Sequence, residues 1–244
     1  DGDAPVTLTE AVRRLSEAGV PDPQRDARRL HDWALRQGPD AQAAERFAGA
    51  IDRRAARVPV SRIMGTRAFW RHDFAISDDV LDPRPDTETL VELALAAPFD
   101  RVLDLGTGSG CILLSLLSER PGASGTGTDI SDAALATARQ NAARLGVEGA
   151  TFLRSDWFAD VTGRYDLIVS NPPYISEADY AALAPEVLHD PRLALTPGGD
   201  GLSPYRAIAA GAPSHLTSGG RLMVEIGHDQ GSAVAALFQA AGLV

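Results

Sequence analysis

Residues 166–176, DLIVSNPPYIS, close a run of aliphatics with Asn171, Pro172, Pro173 and Tyr174. Asn171 precedes a proline and is biased to extended backbone, and Pro172 and Pro173 fix the next φ angles. The corner is stiff. Neither proline has an N–H, so the corner offers mainly acceptors: the Asn171 side-chain oxygen and the Pro172 carbonyl. Two acceptors in fixed geometry suit an –NH₂ group with two hydrogens to give. Tyr174 adds an aromatic wall for a flat group. The expected target is a planar amino group, of an amide or of a nucleobase, and a plain turn is the alternative.

A second constellation precedes it. Asp104-Leu105-Gly106-Thr107-Gly108-Ser109-Gly110 puts glycines at the tip of an apolar run, where backbone can approach a ligand and the next helix presents unpaired N–H groups. This suits a nucleotide-like cofactor, but a structural turn has the same composition. The dinucleotide fingerprint wants a third glycine where Cys111 stands. Asp129 lies 23 residues past Gly106, at the end of the next strand, where a carboxylate can accept both hydroxyls of a ribose. Its alternative use, capping the helix over 132–145, is better served by Ser131. Asp156-Trp157 ends a third strand, and an indole there covers a flat ring or simply fills the core.

These residues need a frame. RVLDLG (101–106), SGTGTDI, ATFLRSD, YDLIVSN and GRLMVEIG read as strands, the second weaker for its glycines. CILLSLLSER, SDAALATARQNAARLG and DQGSAVAALFQAAG read as helices between or after them. Strands separated by helices imply a parallel sheet with helices on both faces, and ligands of such sheets bind at the strands' carboxyl ends. The first 58 residues differ. Thr7 and Glu10 form a capping box before Leu8, Ala11, Val12 and Leu15, and Asp22-Pro23 opens a second helix with Leu30, Trp33 and Ala34 on one face. A third helix is predicted from about Asp40 to Arg57. Residues 61–77 then read as a β-hairpin turning at His72-Asp73.

The 244 residues carry a net charge of −10 and 44% hydrophobic residues, as an ordinary globular chain does. All 23 basic residues are arginine. Residues 1–84 are neutral, with 14 Arg against 14 Asp and Glu, and the remainder holds the whole negative charge. A nucleic-acid grip needs clustered positive charge. Only Arg53, Arg54, Arg57, Arg62, Arg67 and Arg71, with no acid between them, qualify, either as a solvated surface or as a contact for an acidic partner or ribosomal RNA. The lone cysteine, Cys111, excludes intrachain disulfides and cysteine-cluster metal sites. No apolar run reaches the ~18 residues of a membrane span, and the acidic start lacks the order of a signal peptide. A cytoplasmic protein without metal is expected.

The acid two residues before GxGxG is similar to the S-adenosylmethionine (SAM) loop of doubly wound methyltransferases. Together with NPPY it resembles the enzymes that methylate planar nitrogens, adenine N6 and glutamine N5 among them. RRAARVPVSRIMGTRAFWRHDFAI, VLDPRPDTETLVE, DLGTGSGCIL, SDWF, YDLIVSNPPYI, GGDGLSPYRAI and GGRLMVEIG narrow the resemblance to the release-factor glutamine methyltransferase (HemK-type) family, from about residue 10 onward. The resemblance implies a Rossmann-like α/β methyltransferase domain over 83–244. It also implies a helical docking domain over 1–60 and a hairpin linker over 61–82. SAM, leaving as S-adenosylhomocysteine, would be held by Asp104, Gly106, Thr107, Gly108, Ser109, Gly110, Asp129, Asp156, Trp157 and Asn171. The substrate glutamine, in the Gly-Gly-Gln loop of a release factor, would meet Asn171, Pro172, Pro173 and Tyr174, with Asn171, Pro172 and Tyr174 as the catalytic set. Arg84, Thr87 and Glu88 would sit over the cofactor, and His189 and His215 would have surface or capping roles. A ribosomal protein or an adenine base is the rival substrate, and a monomer is expected. Two departures stand out: Asp82, where the family has an aliphatic residue before PRP, and Asp190-Pro191 in place of Glu-Pro. The family also continues into a final pair of strands, of which this sequence shows none.

Overall fold

The computed structural model describes residues 5–39 and 41–244. They divide into two compact units: residues up to Thr66 together with Ala184–His189, and Arg67–Leu183 together with Asp190–Val244.

The first unit is helical. Helix α1 spans Leu8–Glu17, α2 Pro23–Arg36, α3 Ala43–Ala55 and α4 Val60–Met64. Their starts are written locally: Thr7 Oγ1 accepts from the Glu10 N–H at 3.2 Å, and Asp22 Oδ1 accepts from the Arg25 N–H at 3.2 Å with Pro23 next to it. Glu10 does not complete the box; its carboxylate pairs with Arg13 instead. The apolar stripes of α1 to α3 bury Ala11, Leu15, Leu30, Ala34, Phe47 and Ile51. Helix α3 is shorter than the predicted 40–57, since Arg57 has turned into the left-handed region at φ 69°; Asp40 lies outside the described residues. The hairpin prediction also started too early, because Ser61–Met64 continues α4.

Ion pairing accounts for much of the arginine strip. Arg54 is buried and bonds Asp26 at 2.9 Å. Arg57 Nε reaches Glu186 at 2.6 Å, and Arg54 meets the same carboxylate at 3.3 Å. That is why residues 184–189 belong with the helices despite their place in the sequence. In the second unit Arg71 pairs with Glu119 at 3.2 Å, and Arg67 lies 3.9 Å from Asp82. Arg53 is exposed and Arg62 is buried. Several arginines of the strip are thus paired with acids of the same unit, while Arg53 and Arg71 stay exposed.

The second unit begins with a hairpin of β1 (Thr66–Phe69) and β2 (His72–Ala75). Its turn is Trp70-Arg71, with Trp70 at φ 53°, so His72-Asp73 is strand and not turn. After α5 (Glu88–Leu95) come β3 (Arg101–Leu105), α6 (Cys111–Glu119), β4 (Ser124–Asp129), α7 (Asp132–Leu145), β5 (Ala150–Arg154) and β6 (Tyr165–Ser170). The short α8 (Glu177–Tyr180) and α9 (Arg192–Leu195) precede α10 (Ser203–His215), β7 (Leu216–Val224) and α11 (Gly231–Ala240). The five strands form one parallel sheet in the order β5-β4-β3-β6-β7.

Side chains alternate across it as the strand period requires. Val102, Leu167 and Val169 pack on Ile112, Leu113 and Leu116 of α6 and Val91 of α5. Leu103, Leu105 and Ile168 pack on Ile208 and Ala212 of α10. Helices cover both faces, so the near-continuous apolar runs of β3 and β6 are buried on both sides. The glycines that made β4 look weak have a steric cause. A Cβ on Gly125 would stand 2.5 Å from Leu113 Cδ1, and one on Gly127 2.8 Å from Thr107 Oγ1. The strand gives up side chains so that α6 and the loop after β3 can close on it.

Asp104 breaks the apolar pattern of β3. It is fully buried; Oδ2 accepts the Thr107 hydroxyl at 2.8 Å, and Oδ1 has no hydrogen-bond partner among the described residues. Burial pushes its carboxyl up from 3.8 to about 7, against the opposing Thr107 bond. A carboxyl raised on folding stabilises fully below its unfolded value, and that contribution is lost as pH rises through the folded value. Asp104→Asn keeps an acceptor for Thr107 and removes the titration. In urea unfolding the variant should gain on the parent as pH climbs from about 4 to 7 and then hold level. Parallel stability curves across that range would show that Asp104 ionises normally.

Candidate active site

The sheet order reverses at β3, whose neighbours are β4 on one side and β6 on the other. Crevices form at such points, outside the carboxyl ends of the strands. Here the ends are in step. Leu105 is level with both Thr128 and Ser170, and Ser170 with Val224. Ser170 Oγ donates to the Leu105 carbonyl at 2.7 Å, which ties β6 to β3 at the last residue of each. The Thr107 N–H continues the ladder to the Thr128 carbonyl at 2.8 Å, and the Glu225 N–H does so to the Ser170 carbonyl at 3.0 Å. A cavity of about 510 Å³ opens on this edge, within the ~300–1,000 Å³ usual for small-molecule sites.

Gly106, Thr107, Gly108 and Ser109 line it. Gly108 takes φ 54°, a conformation an L side chain resists. That places its N–H 3.0 Å from Asp129 Oδ2. Asp129 Oδ1 accepts the Ser131 N–H at 3.0 Å, while Ser131 itself caps α7. Burial raises the Asp129 carboxyl despite these backbone bonds. Each oxygen keeps a lone pair, and the residue lines the cavity, so two further donors can be received.

Asp156 and Trp157 line the same space, distant in sequence but adjacent on the sheet's edge. Trp157 sits at φ 49°, held there by its carbonyl accepting the Ser155 hydroxyl at 2.8 Å. Ile130, missed in the sequence, lines the cavity as well and is 46% exposed. An apolar residue directly after a strand-ending acid was the available signal. Ile130 and Trp157 give the cavity apolar surface suited to a flat ring.

Not every predicted residue reaches the cavity. Asp104 is buried behind the loop and Gly110 is turned into packing, with Leu114 3.2 Å from where its Cβ would be. Both shape the loop and neither lines the cavity. Asn171 and Pro173 do line it, whereas Pro172 is buried and Tyr174 faces elsewhere. Tyr174 is outside the cavity lining, and its hydroxyl donates to Glu225 Oε1 at 3.2 Å. Burial, and then the Glu225 charge, pushes that phenol up to about 12, so it remains a donor. Gln230 Nε2 holds the Tyr174 carbonyl at 2.9 Å, and Gly201 gives the loop room where a Cβ would stand 2.4 Å from that oxygen.

Among the described residues Asn171 has one side-chain hydrogen bond, from Nδ2 to Thr87 Oγ1 at 3.4 Å. Thr87 in turn donates to Glu225 Oε2 at 2.6 Å. Arg84 and Thr87 line the cavity and Glu88 does not; its carboxylate receives the Trp70 N–H at 2.6 Å and fixes the hairpin. The two departures meet each other. Asp190 is buried, accepts the Asp82 N–H at 3.0 Å and pairs with Arg84, which holds the PRP loop over the cavity. His215 packs within the fold, its Nδ1 near the Gly211 carbonyl at 2.9 Å. Burial pushes the Cys111 thiol up to about 12, which removes it as a nucleophile. Among the described residues no cluster could hold a metal ion, and no helix is long and apolar enough to cross a membrane.

The profile of the methyltransferase small domain matches residues 68–203, and that of the PrmC N-terminal domain residues 7–65. A release factor glutamine methyltransferase of Cereibacter sphaeroides is 57% identical, over 97% of this chain and 90% of that protein. One of Rhodospirillum rubrum is 52% identical, over 97% and 78%. Among solved structures, a methyltransferase from Pyrococcus furiosus shares the fold with TM-score 0.53 at 18% identity, over 72% of this chain and 80% of that one. Identity this high over nearly the whole length, on a sheet edge built around NPPY and a glycine loop, makes the chain a member of the release factor glutamine methyltransferase family.

Proposed function

We propose that the chain transfers a methyl group from S-adenosylmethionine to the side-chain amide nitrogen of a glutamine in a peptide chain release factor, in its Gly-Gly-Gln loop. Family membership supports the reaction class. The observation that carries the chemistry is Asn171: its Nδ2 is anchored on Thr87, its Oδ1 accepts from no group among the described residues, and the residue lines the cavity.

The cavity's residues fit the cofactor. Asp129 keeps lone pairs for the ribose hydroxyls, Gly106 and Gly108 leave room for the methionine end, and Trp157 with Ile130 takes the adenine. The bound cofactor supplies an electrophilic methyl group. The protein's part is to present the nucleophile. An amide nitrogen is a poor one, because its lone pair is delocalised into the carbonyl. Asn171 Oδ1 receives an N–H hydrogen of the substrate amide and so orients its nitrogen lone pair toward the methyl. The same acceptor favours the positive charge that grows on nitrogen. No base is needed beforehand, since the methylated amide sheds its proton readily.

Asn171→Ala should cut transfer by about 100-fold or more with the fold intact. Asp129→Asn keeps an acceptor for a backbone N–H and loses the charge. It should weaken SAM binding about tenfold, read by calorimetry; unchanged affinity removes Asp129 from the ribose site. Labelled SAM offered with separate pools of release factor, ribosomal protein and nucleic acid should label the first, and mass spectrometry should place one methyl on a glutamine. Label confined to either other pool overturns the substrate.

A further inference from the structure

We infer that Glu225 is a positioning residue for the transfer: acting through Thr87, it decides which end of the Asn171 carboxamide faces the cavity. The inference rests on the reading of Asn171 as the group that grips the substrate amide.

An asparagine amide has a donor end and an acceptor end of nearly the same shape, and either fits the same space. Only the acceptor end can receive a substrate –NH₂. Something must therefore break the symmetry. Thr87 is 2% exposed, and its hydroxyl has a single hydrogen. Glu225 as a carboxylate only accepts, so at 2.6 Å that hydrogen is committed to Oε2. The Thr87 oxygen then has only lone pairs to offer Asn171. Nδ2 is the end that can meet them, as it does at 3.4 Å. A flipped amide would set Oδ1 against Oγ1 with no hydrogen between them.

Glu225 is itself held on all sides. Its N–H is on the Ser170 carbonyl at 3.0 Å, and its carbonyl accepts the Tyr205 hydroxyl at 2.7 Å. The second carboxylate oxygen takes the Tyr174 hydroxyl at 3.2 Å, so one side chain fixes both Asn171 and the residue three further on. The strand register puts it there, because Glu225 comes directly after Val224, the partner of Ser170.

The full chain is assayed with release factor and labelled SAM as the parent and as Thr87→Val, Thr87→Ser, Glu225→Gln and Asn171→Ala. Thr87→Val removes the relay hydroxyl without changing volume, and Glu225→Gln lets the carboxylate position donate. Each should lower kcat about 10- to 100-fold in protein that is folded and still binds SAM. Thr87→Ser should restore most of the rate. The double variant Thr87→Val with Glu225→Gln should be no worse than the poorer single one, as expected of residues acting in series. Parent-like kcat in folded Thr87→Val or Glu225→Gln, with Asn171→Ala inactive, overturns the relay alone. Should Thr87→Val fail to fold, Glu225→Gln decides by itself. Full activity of Asn171→Ala overturns the amide-gripping reading and the relay together.

Discussion

The site depends on the level at which four parallel strands stop. Leu105, Thr128, Ser170 and Val224 share one line across the sheet, and the Ser170 hydroxyl locks its middle by bonding the Leu105 carbonyl. The residue just beyond that line lines the cavity on three strands, Gly106 from β3, Asp129 from β4 and Asn171 from β6, and on β7 it is Glu225, which bonds Thr87 of the lining. Parallel pairing makes this convergence strict. A slip of one residue would exchange the faces of a strand and carry its terminal side chain to the other side of the sheet. Burial of β3 and β6 on both faces by α5, α6 and α10 is what makes such a slip costly. The chemistry thus rests on the hydrophobic effect acting some distance from it.

On that edge the protein has arranged a shortage of donors. Pro172 and Pro173 contribute none, Asp129 absorbs the N–H groups of Gly108 and Ser131, and the Thr87 and Tyr174 hydroxyls are turned to Glu225. The acceptors left over are Asn171 Oδ1 and the free lone pairs of Asp129. Both residues line the cavity, so a ligand with N–H or O–H groups can supply the donors they lack. The same logic separates Asp104 from Asp129. Both are carboxyls drawn upward by burial, but Asp104 is sealed behind the loop and drifts toward neutrality, whereas Asp129 keeps backbone partners and access.

The strands, most helices and the corner at Asn171 were legible because each is written locally: apolar runs of strand length, helical period, cap residues, and prolines that fix φ. The failures have a common physical source. Glu225 is one acid in a strand-ending stretch, and nothing near it in the sequence says that Thr87, 138 residues earlier, will reach it. Glu186 reads as a loop acid until it is found on Arg54 and Arg57. The arginine strip looked free because its partners, Asp26, Glu186 and Glu119, lie outside it. Tyr174 was expected to offer its ring, and a distant carboxylate claimed its hydroxyl. Local rules place backbone; they do not say which polar atom wins a contested partner.

That contest also bears on selectivity. In the proposed reaction the substrate amide and a glutamate carboxylate of the same length differ only by –NH₂ against oxygen. Oδ1 of Asn171, polarised by a relay that ends on a charged group, would meet a carboxylate with lone pair against lone pair, and Glu225 would add like-charge repulsion. A site built to receive hydrogens rejects the analogue that lacks them far more strongly than a shape-matched apolar pocket could, by factors on the order of 10⁴. A freely rotating asparagine would lose this, because its Nδ2 could turn to meet the carboxylate. Orientation and selectivity are therefore one property, held in place by the hydroxyl of Thr87 and the charge behind it.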